Sequence, residues 1–442
     1  MFSNIISQYL KLLKNSPEFL QTINNISWLF ADRIVRMGMA LLVGVWVARY
    51  LGVESYGTLN YASAFVDLFG TFSSLGLSSL VIRTIVEAST DRNTILGTTF
   101  CLQIGGGIFS IIITILASLF FDFSDPIIVP LIIILSVISL FKAFDTIEIW
   151  FQSQVQSKYT VIAKNSAFIL LALIKLLLTQ LKAPLIAFAW AALAEFAVSA
   201  MGLILAYQFQ GFSITAWKWS VDLAKRLLRE GWPLALSGLA IVIYMKIDQV
   251  MLGSMIGSEA VGLYAAATKI SEIWYFIPVA IVSSVAPSIY QAKKENDELL
   301  YYNKITNLLK SLNLISLIIV LLMIFLAKPL ILFLFGQDFI KSELILSIHI
   351  WAIIFVSMGV AVSPWFTAES LTNLLFYRTF SGAVANILLN LILIPTYAEV
   401  GAAIATILSY SISDFFYHAI NPKTRKLFFI QFKSWTLLNN LV

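Results

Sequence analysis

Two apolar stretches of this chain carry ionisable side chains where contact with hydrocarbon would be expected. The first holds Asp32, Arg33 and Arg36, with Asp67 in the run that follows; the second holds Lys246 and Asp248, followed by Lys269 and Glu272. An ionisable group at the centre of a bilayer costs at least about 2.5–3.5 kcal/mol on insertion scales, so such groups face a protein interior or a water-filled cavity. Asp32, Arg33 and Arg36 project within about 100° of one another on a helix. The i,i+4 spacing lets Asp32 pair with Arg36 and leaves Arg33 freer. Lys269 and Glu272, three apart, share a face. Lys246 and Asp248 lie about 200° apart, so one faces a lumen and the other a neighbouring helix. The chemistry such a set supports is a cationic, water-accessible cavity, built from Arg33, Arg36, Lys246 and Lys269. Asp32, Asp67, Asp248 and Glu272 would then be carboxylates that bind protons or sodium. The competing reading is interhelical ion pairing and snorkelling near the interfaces, which suits Lys175, Asp414 and His418 best; Glu195 is a further charge within a span. His349 reads as a hydrogen-bonded packing residue.

The elements that must position these groups are membrane spans. Hydrophobic residues make up 59% and charged residues 12% of the 442, against roughly 45–50% and 25% in soluble domains. Apolar runs of about 20 residues recur, the length that crosses a bilayer core as a helix. The expectation is an all-α polytopic membrane protein with twelve spans near 26–48, 58–76, 96–120, 127–147, 160–180, 184–208, 233–255, 261–288, 306–327, 343–366, 376–395 and 400–420. Short cytoplasmic loops are enriched in lysine and arginine. With both termini cytoplasmic, twenty of the 29 basic residues fall in inner segments, four in outer ones, and five inside spans. The net charge of +5 therefore reports loop placement, and no nucleic-acid partner follows from it. Cys101, alone and within an apolar run, supports neither a disulfide framework nor a redox role.

The chain reads as two related halves. L-G-V-E-S-Y-G at Leu51–Gly57 and I-G-S-E-A-V-G at Ile256–Gly262 each separate two apolar runs, and an offset of 205 carries Gly52, Glu54, Gly57 and Asp67 onto Gly257, Glu259, Gly262 and Glu272. The expected divisions are a surface segment at 1–25, a six-helix bundle at 26–208, an amphipathic cytoplasmic linker at 209–232, a second six-helix bundle at 233–420 and a cytoplasmic tail at 421–442. The linker sequence W-K-W-S-V-D-L-A-K-R-L-L-R-E alternates charge and bulk at helical spacing, which suits the membrane surface. Proline within or near spans, at Pro278, Pro287 and Pro364, marks bends whose freed backbone groups need neighbours or water. Gly105–Gly107 is no phosphate-cradling loop, because no strand precedes it and no Lys-Ser/Thr follows. Two histidines and one cysteine make a thiolate- or imidazole-ligated metal unlike this chain. No nucleophile elbow, Walker A or dinucleotide fingerprint is present, so neither an enzyme nor a cofactor is expected.

The block A-D-R-I-V-R-M-G-M-A-L-L-V-G-V-W-V-A-R-Y-L-G-V-E-S-Y-G resembles the start of polysaccharide flippases of the O-antigen (Wzx) type, members of the multidrug/oligosaccharidyl-lipid/polysaccharide exporter superfamily. The block G-W-P-L-A-L-S-G-L-A-I-V-I-Y-M-K-I-D-Q-V-M-L-G-S-M-I-G-S-E-A-V-G resembles that family's seventh and eighth spans, and S-S-V-A-P-S-I-Y follows as it does there. The resemblance implies a MATE-like fold: two six-helix bundles, related by an axis along the membrane normal, around a central cavity that opens alternately to each side. It implies export of undecaprenyl-pyrophosphate-linked oligosaccharide from the inner to the outer leaflet of a bacterial cytoplasmic membrane, with membrane lipids around it and a polymerase and chain-length regulator as partners. The pyrophosphate would meet Arg33, Arg36, Lys246 and Lys269, arginine engaging phosphate oxygens bidentately. With no nucleotide-binding motif, the drive would be proton or sodium exchange at Asp67, Asp248 and Glu272, with Asp32 either a further coupling group or a modulator of its arginines. Other readings stay open: a peptidoglycan-precursor flippase, whose family has fourteen spans; a drug/cation antiporter; and, from another class, a membrane polysaccharide polymerase or ligase.

Overall fold

A computed structural model describes residues 17–87, 91–121, 123 and 125–435. The first sixteen residues of the expected 1–25 surface segment lie outside the described residues, as do the last seven of the 421–442 tail. Among the described residues the regular structure is entirely helical. The helices used below are α1 (Pro17–Gly70), α2 (Leu77–Glu87), α3 (Arg92–Ser118), α4 (Asp145–Ser153), α5 (Lys158–Gln180), α6 (Leu185–Phe209), α7 (Val221–Met255), α8 (Ser258–Ser271), α9 (Phe276–Lys294), α10 (Glu298–Leu334), α11 (Ala352–Ala368), α12 (Thr372–Ser411) and α13 (Arg425–Ser434).

Among the described residues, ten helical segments are long and apolar enough to cross a membrane, by length and composition. The difference from the twelve expected spans lies in two of them. Val35–Glu87 and Asn373–Ile420, of 53 and 48 residues, each contain two expected spans, because the chain turns at one residue while helical hydrogen bonding resumes on either side. In α1 that residue is Gly52, with φ 73 and ψ 173, and in α12 it is Ala398, with φ 47 and ψ −129. A glycine adopts positive φ without the steric penalty of a Cβ. At 1.5 Å per residue, 53 helical residues would reach about 80 Å, far beyond the roughly 30 Å hydrocarbon core.

The described chain clusters into two compact units. The first comprises residues up to Gly44, Phe69–Phe120 and Val129–Leu236; the second comprises Val45–Leu68, Phe121–Ile128 and Ser237 onward. In the first unit, Leu77, Leu80, Val81, Ile95 and Ile149 pack with Leu223 and Leu227 of α7. The apolar face of the expected surface linker is thus covered by protein. From Val221 that segment continues as one helix to Met255, with Pro233 inside it. In the second unit, Met358, Val362 and Phe366 of α11 pack against Tyr301, Leu308 and Leu312 of α10.

The triple glycine is a packing device. A Cβ on Gly107 would meet the Ser139 carbonyl oxygen at 2.7 Å, whereas one on Gly105 would meet nothing within 4 Å. Gly105→Ala is therefore expected to raise stability by about 0.5–1 kcal/mol through reduced chain entropy. Gly107→Ala should lower it by about 1–3 kcal/mol through overpacking. Thermal melting of the two purified variants checks the opposite signs.

Candidate functional site

The most enclosed charge of the second unit is Asp248, in the membrane-spanning part of α7. The residue is 3% exposed, and neutral side chains from three other helical segments surround its carboxylate. Tyr264 of α8 donates to Oδ2 at 2.7 Å, Thr406 to the same oxygen at 2.6 Å, and Asn390 Nδ2 to Oδ1 at 2.5 Å. Asn390 Nδ2 also reaches Asn386 Oδ1 at 3.2 Å, and Asn386 Nδ2 reaches Ser409 Oγ at 3.3 Å. Asn386 and Asn390 are fully buried, one helical turn apart before the Ala398 break, and Thr406 and Ser409 come after it. The break thus folds two arms of one continuous element around one carboxylate. Among the described residues no lysine or arginine forms an ion pair with Asp248. Asn390 Oδ1 is buried without a hydrogen-bond partner. Three donors satisfy part of an ionised carboxylate's demand, and an orphaned amide oxygen beside it is a free acceptor in a dry place. The single Thr406 hydroxyl proton can serve either Asp248 Oδ2 or the Ala402 carbonyl at 2.9 Å, so the carboxylate is not fully compensated by its neutral neighbours. Among the described residues no cluster of three or more His, Cys, Asp or Glu offers a conventional metal site.

The other charges of this unit lie around that cage. Glu272, at the start of a 3₁₀ turn after α8, is within electrostatic reach of both Lys246 and Asp248. Lys269 does not form an ion pair with Glu272 among the described residues, and Lys246 is half-buried. Asp67 is half-buried and engaged in an interaction of its own. His349 Nδ1 lies 2.9 Å from Ser271 Oγ, the hydrogen-bonded packing arrangement expected of it. Asp414 and His418 do not pair with each other directly. Arg378 Nε lies 3.5 Å from Asp414 Oδ1, and His418 Nδ1 is 2.8 Å from Gln431 Oε1 of α13.

In the first unit, Asp32 Oδ1 receives Arg36 Nε at 2.7 Å, while Arg33 is exposed and has a partner interaction of its own. Arg36 faces the Phe168 ring at 5.7 Å and lines a cavity of about 70 Å³ together with Asp145, Lys164, Glu195 and Ser199. Lys164 bridges Asp145 at 2.6 Å and Glu148 at 2.5 Å, and Lys175 pairs with Glu195 at 2.8 Å. The guanidinium is only partly used: Arg36 Nη2 is buried and accepted by no group.

Reading by charge alone passed over Asn386, Asn390, Thr406 and Tyr264, because neutral polar residues are common in spans. The available signal was the asparagine pair at i,i+4 inside an otherwise apolar run. Lys164 stood at the edge of an expected span, and its partners Asp145 and Glu148 lie at the end of a different one and just beyond it.

Comparison with known proteins matches the chain to two family models. Residues 22–293 match the family described as polysaccharide biosynthesis protein, and residues 233–392 also match the MatE family. The probable low-salt glycan biosynthesis flippase Agl15 of Haloferax volcanii is 24% identical over 216 residues, 49% of this chain and 46% of that protein. The chain spans less than half the length of the curated relatives it matches. In three dimensions it is similar to an inward-facing multidrug resistance MATE family transporter of the MOP superfamily, with a TM-score of 0.72 at 15% identity over 95% of this chain and 100% of the other. It is similar also to the lipid II flippase MurJ in an inward closed conformation, with a TM-score of 0.70 at 18% identity over 94% and 91%. At such identities these structures speak for the fold. The first family match takes in more than half of the sequence, including both charged blocks and the turns that follow them, and the chain belongs to the polysaccharide biosynthesis protein family.

Proposed function

We propose that this protein is a flippase that carries a lipid-linked glycan from the inner to the outer leaflet by alternating access, driven by a proton or sodium gradient. The specific cargo we assign is an undecaprenyl-pyrophosphate-linked oligosaccharide repeat unit of an O-antigen or other surface polysaccharide. Family membership and the flippase relative support the cargo class. We infer twelve crossings in two six-helix halves with both termini cytoplasmic. The bias of lysine and arginine supports that topology, as do the Gly52 and Ala398 breaks within helices too long for one crossing. In this reading Arg33, Arg36, Lys246 and Lys269 meet the pyrophosphate, and the lipid tail stays in the bilayer while the headgroup crosses a polar path. A polymerase and a chain-length regulator would act on the cargo after it crosses.

The observation that carries the coupling is the Asp248 cage: a buried carboxylate held by neutral donors beside an unpartnered amide oxygen. A proton or sodium ion is the species that neutralises it without rebuilding the bundle. For coupling, ion and cargo must favour different conformations, because equal affinity for both shifts nothing. Asp32, Asp67 and Glu272 are auxiliary carboxylates in the same scheme.

The test is flipping of a short-chain polyprenyl-pyrophosphate oligosaccharide in proteoliposomes under an imposed proton or sodium gradient. Arg33→Ala and Lys246→Ala should each lower the rate at least about tenfold, the loss of one charge-assisted contact, while the protein remains folded. Wild-type rates in both variants would remove these cations from the cargo path. Export of a cationic dye with no response to the lipid would favour the antiport reading that the MatE match suggests.

A further inference from the structure

The Asp248 cage is one end of a longer polar line inside the second unit. From Asp248 the hydrogen bonds pass through Asn390 and Asn386 to Ser409. The Tyr244 hydroxyl of α7 lies 3.2 Å from the Oγ of Ser413, which is on the same helical stretch as Ser409 and one turn further on. Asp414 is the next residue after Ser413, and Arg378 Nε closes the line at 3.5 Å from its Oδ1. Asn386, Asn390, Ser409 and Ser413 are essentially inaccessible, and Tyr244 and Asp414 are each 7% exposed.

Two local features keep the line open. Asp414 and Ser413 sit on a π-helical turn, Ile412–Phe416, and such single π turns are frequent at functional positions. Gly382 stands where a Cβ would meet Ser413 Cβ at 2.9 Å and Tyr244 Cε2 at 3.2 Å, and Gly359 gives up its side-chain space to the Asp414 carboxylate. Arg378 is shared, since Nη1 donates to the Gly359 carbonyl at 3.2 Å and Nε has no hydrogen bond. Asp414 also faces Tyr244 and Tyr410, and His418 lies one turn on.

Stability alone explains this line poorly. Interhelical hydrogen bonds in membranes contribute only about 0.6 kcal/mol each on average, yet here buried polar side chains succeed one another between two carboxylates. From Thr406 to Asp414 the line advances about 12 Å along the helix axis, toward the end where Lys423, Arg425 and Lys426 lie. That is the side the charge bias makes cytoplasmic.

We propose that this line is the route by which the coupling cation passes between Asp248 and the inner face, with Asp414 as its inner station and Arg378 as the positive group that must yield for passage. The inference rests on the coupling reading of Asp248.

The experiment measures bound sodium-22 leaving the purified full-length protein on dilution, with a pH-indicator arm that reads proton release after a pH jump. Tyr244→Phe keeps the ring that packs on Tyr410 at 4.4 Å and removes only the hydroxyl; Ser413→Ala and Asp414→Asn interrupt the line further on. Release should slow about tenfold in each, with the equilibrium dissociation constant unchanged, because uptake and release slow together. A merely structural role would alter melting or affinity and leave that pattern absent. Release at the wild-type rate in Tyr244→Phe and Ser413→Ala overturns the route, and so does a weakened equilibrium affinity with unchanged uptake. Asp248→Asn separates the two readings: persistent ion binding in that variant removes the cage and the route together. Loss of binding there, with wild-type release in the other variants, removes the route alone.

Discussion

Replacing Asp248 by asparagine should abolish the response of this protein to its coupling ion, the largest functional effect expected from any single substitution. The change keeps the shape of the side chain and removes the charge around which Tyr264, Thr406 and Asn390 are gathered. A cation bound to the folded protein alone stabilises it by RT ln(1 + [L]/Kd), about 2.7 kcal/mol at a hundred times Kd. Wild-type protein should therefore melt at a higher temperature as sodium, or acid, is added, whichever ion it uses. Asp248→Asn should show no such shift while folding normally, and gradient-driven flipping should fall to the level of the gradient-free control. Thr406→Val is expected to be milder, because the carboxylate keeps two donors. The loss of one hydrogen bond to a charged group, about 1.5–3 kcal/mol, corresponds to an affinity loss of about 10–150-fold. Equal ion-induced melting shifts in wild type and Asp248→Asn would dismiss the cage as the coupling site.

The contrast between Asp248 and its partners shows what a single sequence reveals about such a site. A carboxylate in an apolar run is conspicuous, because its desolvation is costly wherever it faces. Its environment is decided by residues 142 and 158 positions away, neutral and individually unremarkable, and by a helix that reverses at Ala398, where no glycine marks the turn. Gly52 was legible as a turn because its residue type permits positive φ, but the near-continuity of α1 across it was not, since hydrophobicity reports where a span lies and not how the connecting backbone bonds. The amphipathic linker illustrates the same limit. Its leucines at Leu223 and Leu227 match a membrane surface and a protein groove equally well, and contacts with Leu77 and Leu80 decide in favour of protein. Lys164, counted with the loops by its position, is drawn into a half-buried triad by Asp145 and Glu148.

The repeat of the two glycine turns leads to the second large effect. Within the second unit the first turn packs directly on its counterpart. The Cβ position of Gly57 is filled by the Ser258 carbonyl, with Gly262 N 2.7 Å away; that of Gly262 is filled by the Val53 carbonyl, with Gly57 N at 3.2 Å. The obstructing atoms are backbone, which cannot rotate aside as a side chain would. Around them Arg49 donates to the Phe333 carbonyl, and the Tyr56 ring meets Phe339 edge-on at 6.0 Å. Gly57→Ala and Gly262→Ala should each disfavour this contact by about 1–3 kcal/mol, a shift of about 5–150-fold toward conformations in which the turns separate. Thr58, 1% exposed beside the seam, supplies the reporter: Thr58→Cys in a Cys101→Ser background, since Cys101 is itself exposed. A membrane-impermeant thiol reagent should modify that cysteine faster in either glycine variant than in the reporter alone. Because both methyl groups press on one contact, the double variant should cost less than the sum of the singles, the signature of coupled sites. Additive losses of stability with no gain in labelling would mean that the turns are fixed packing and never part during transport.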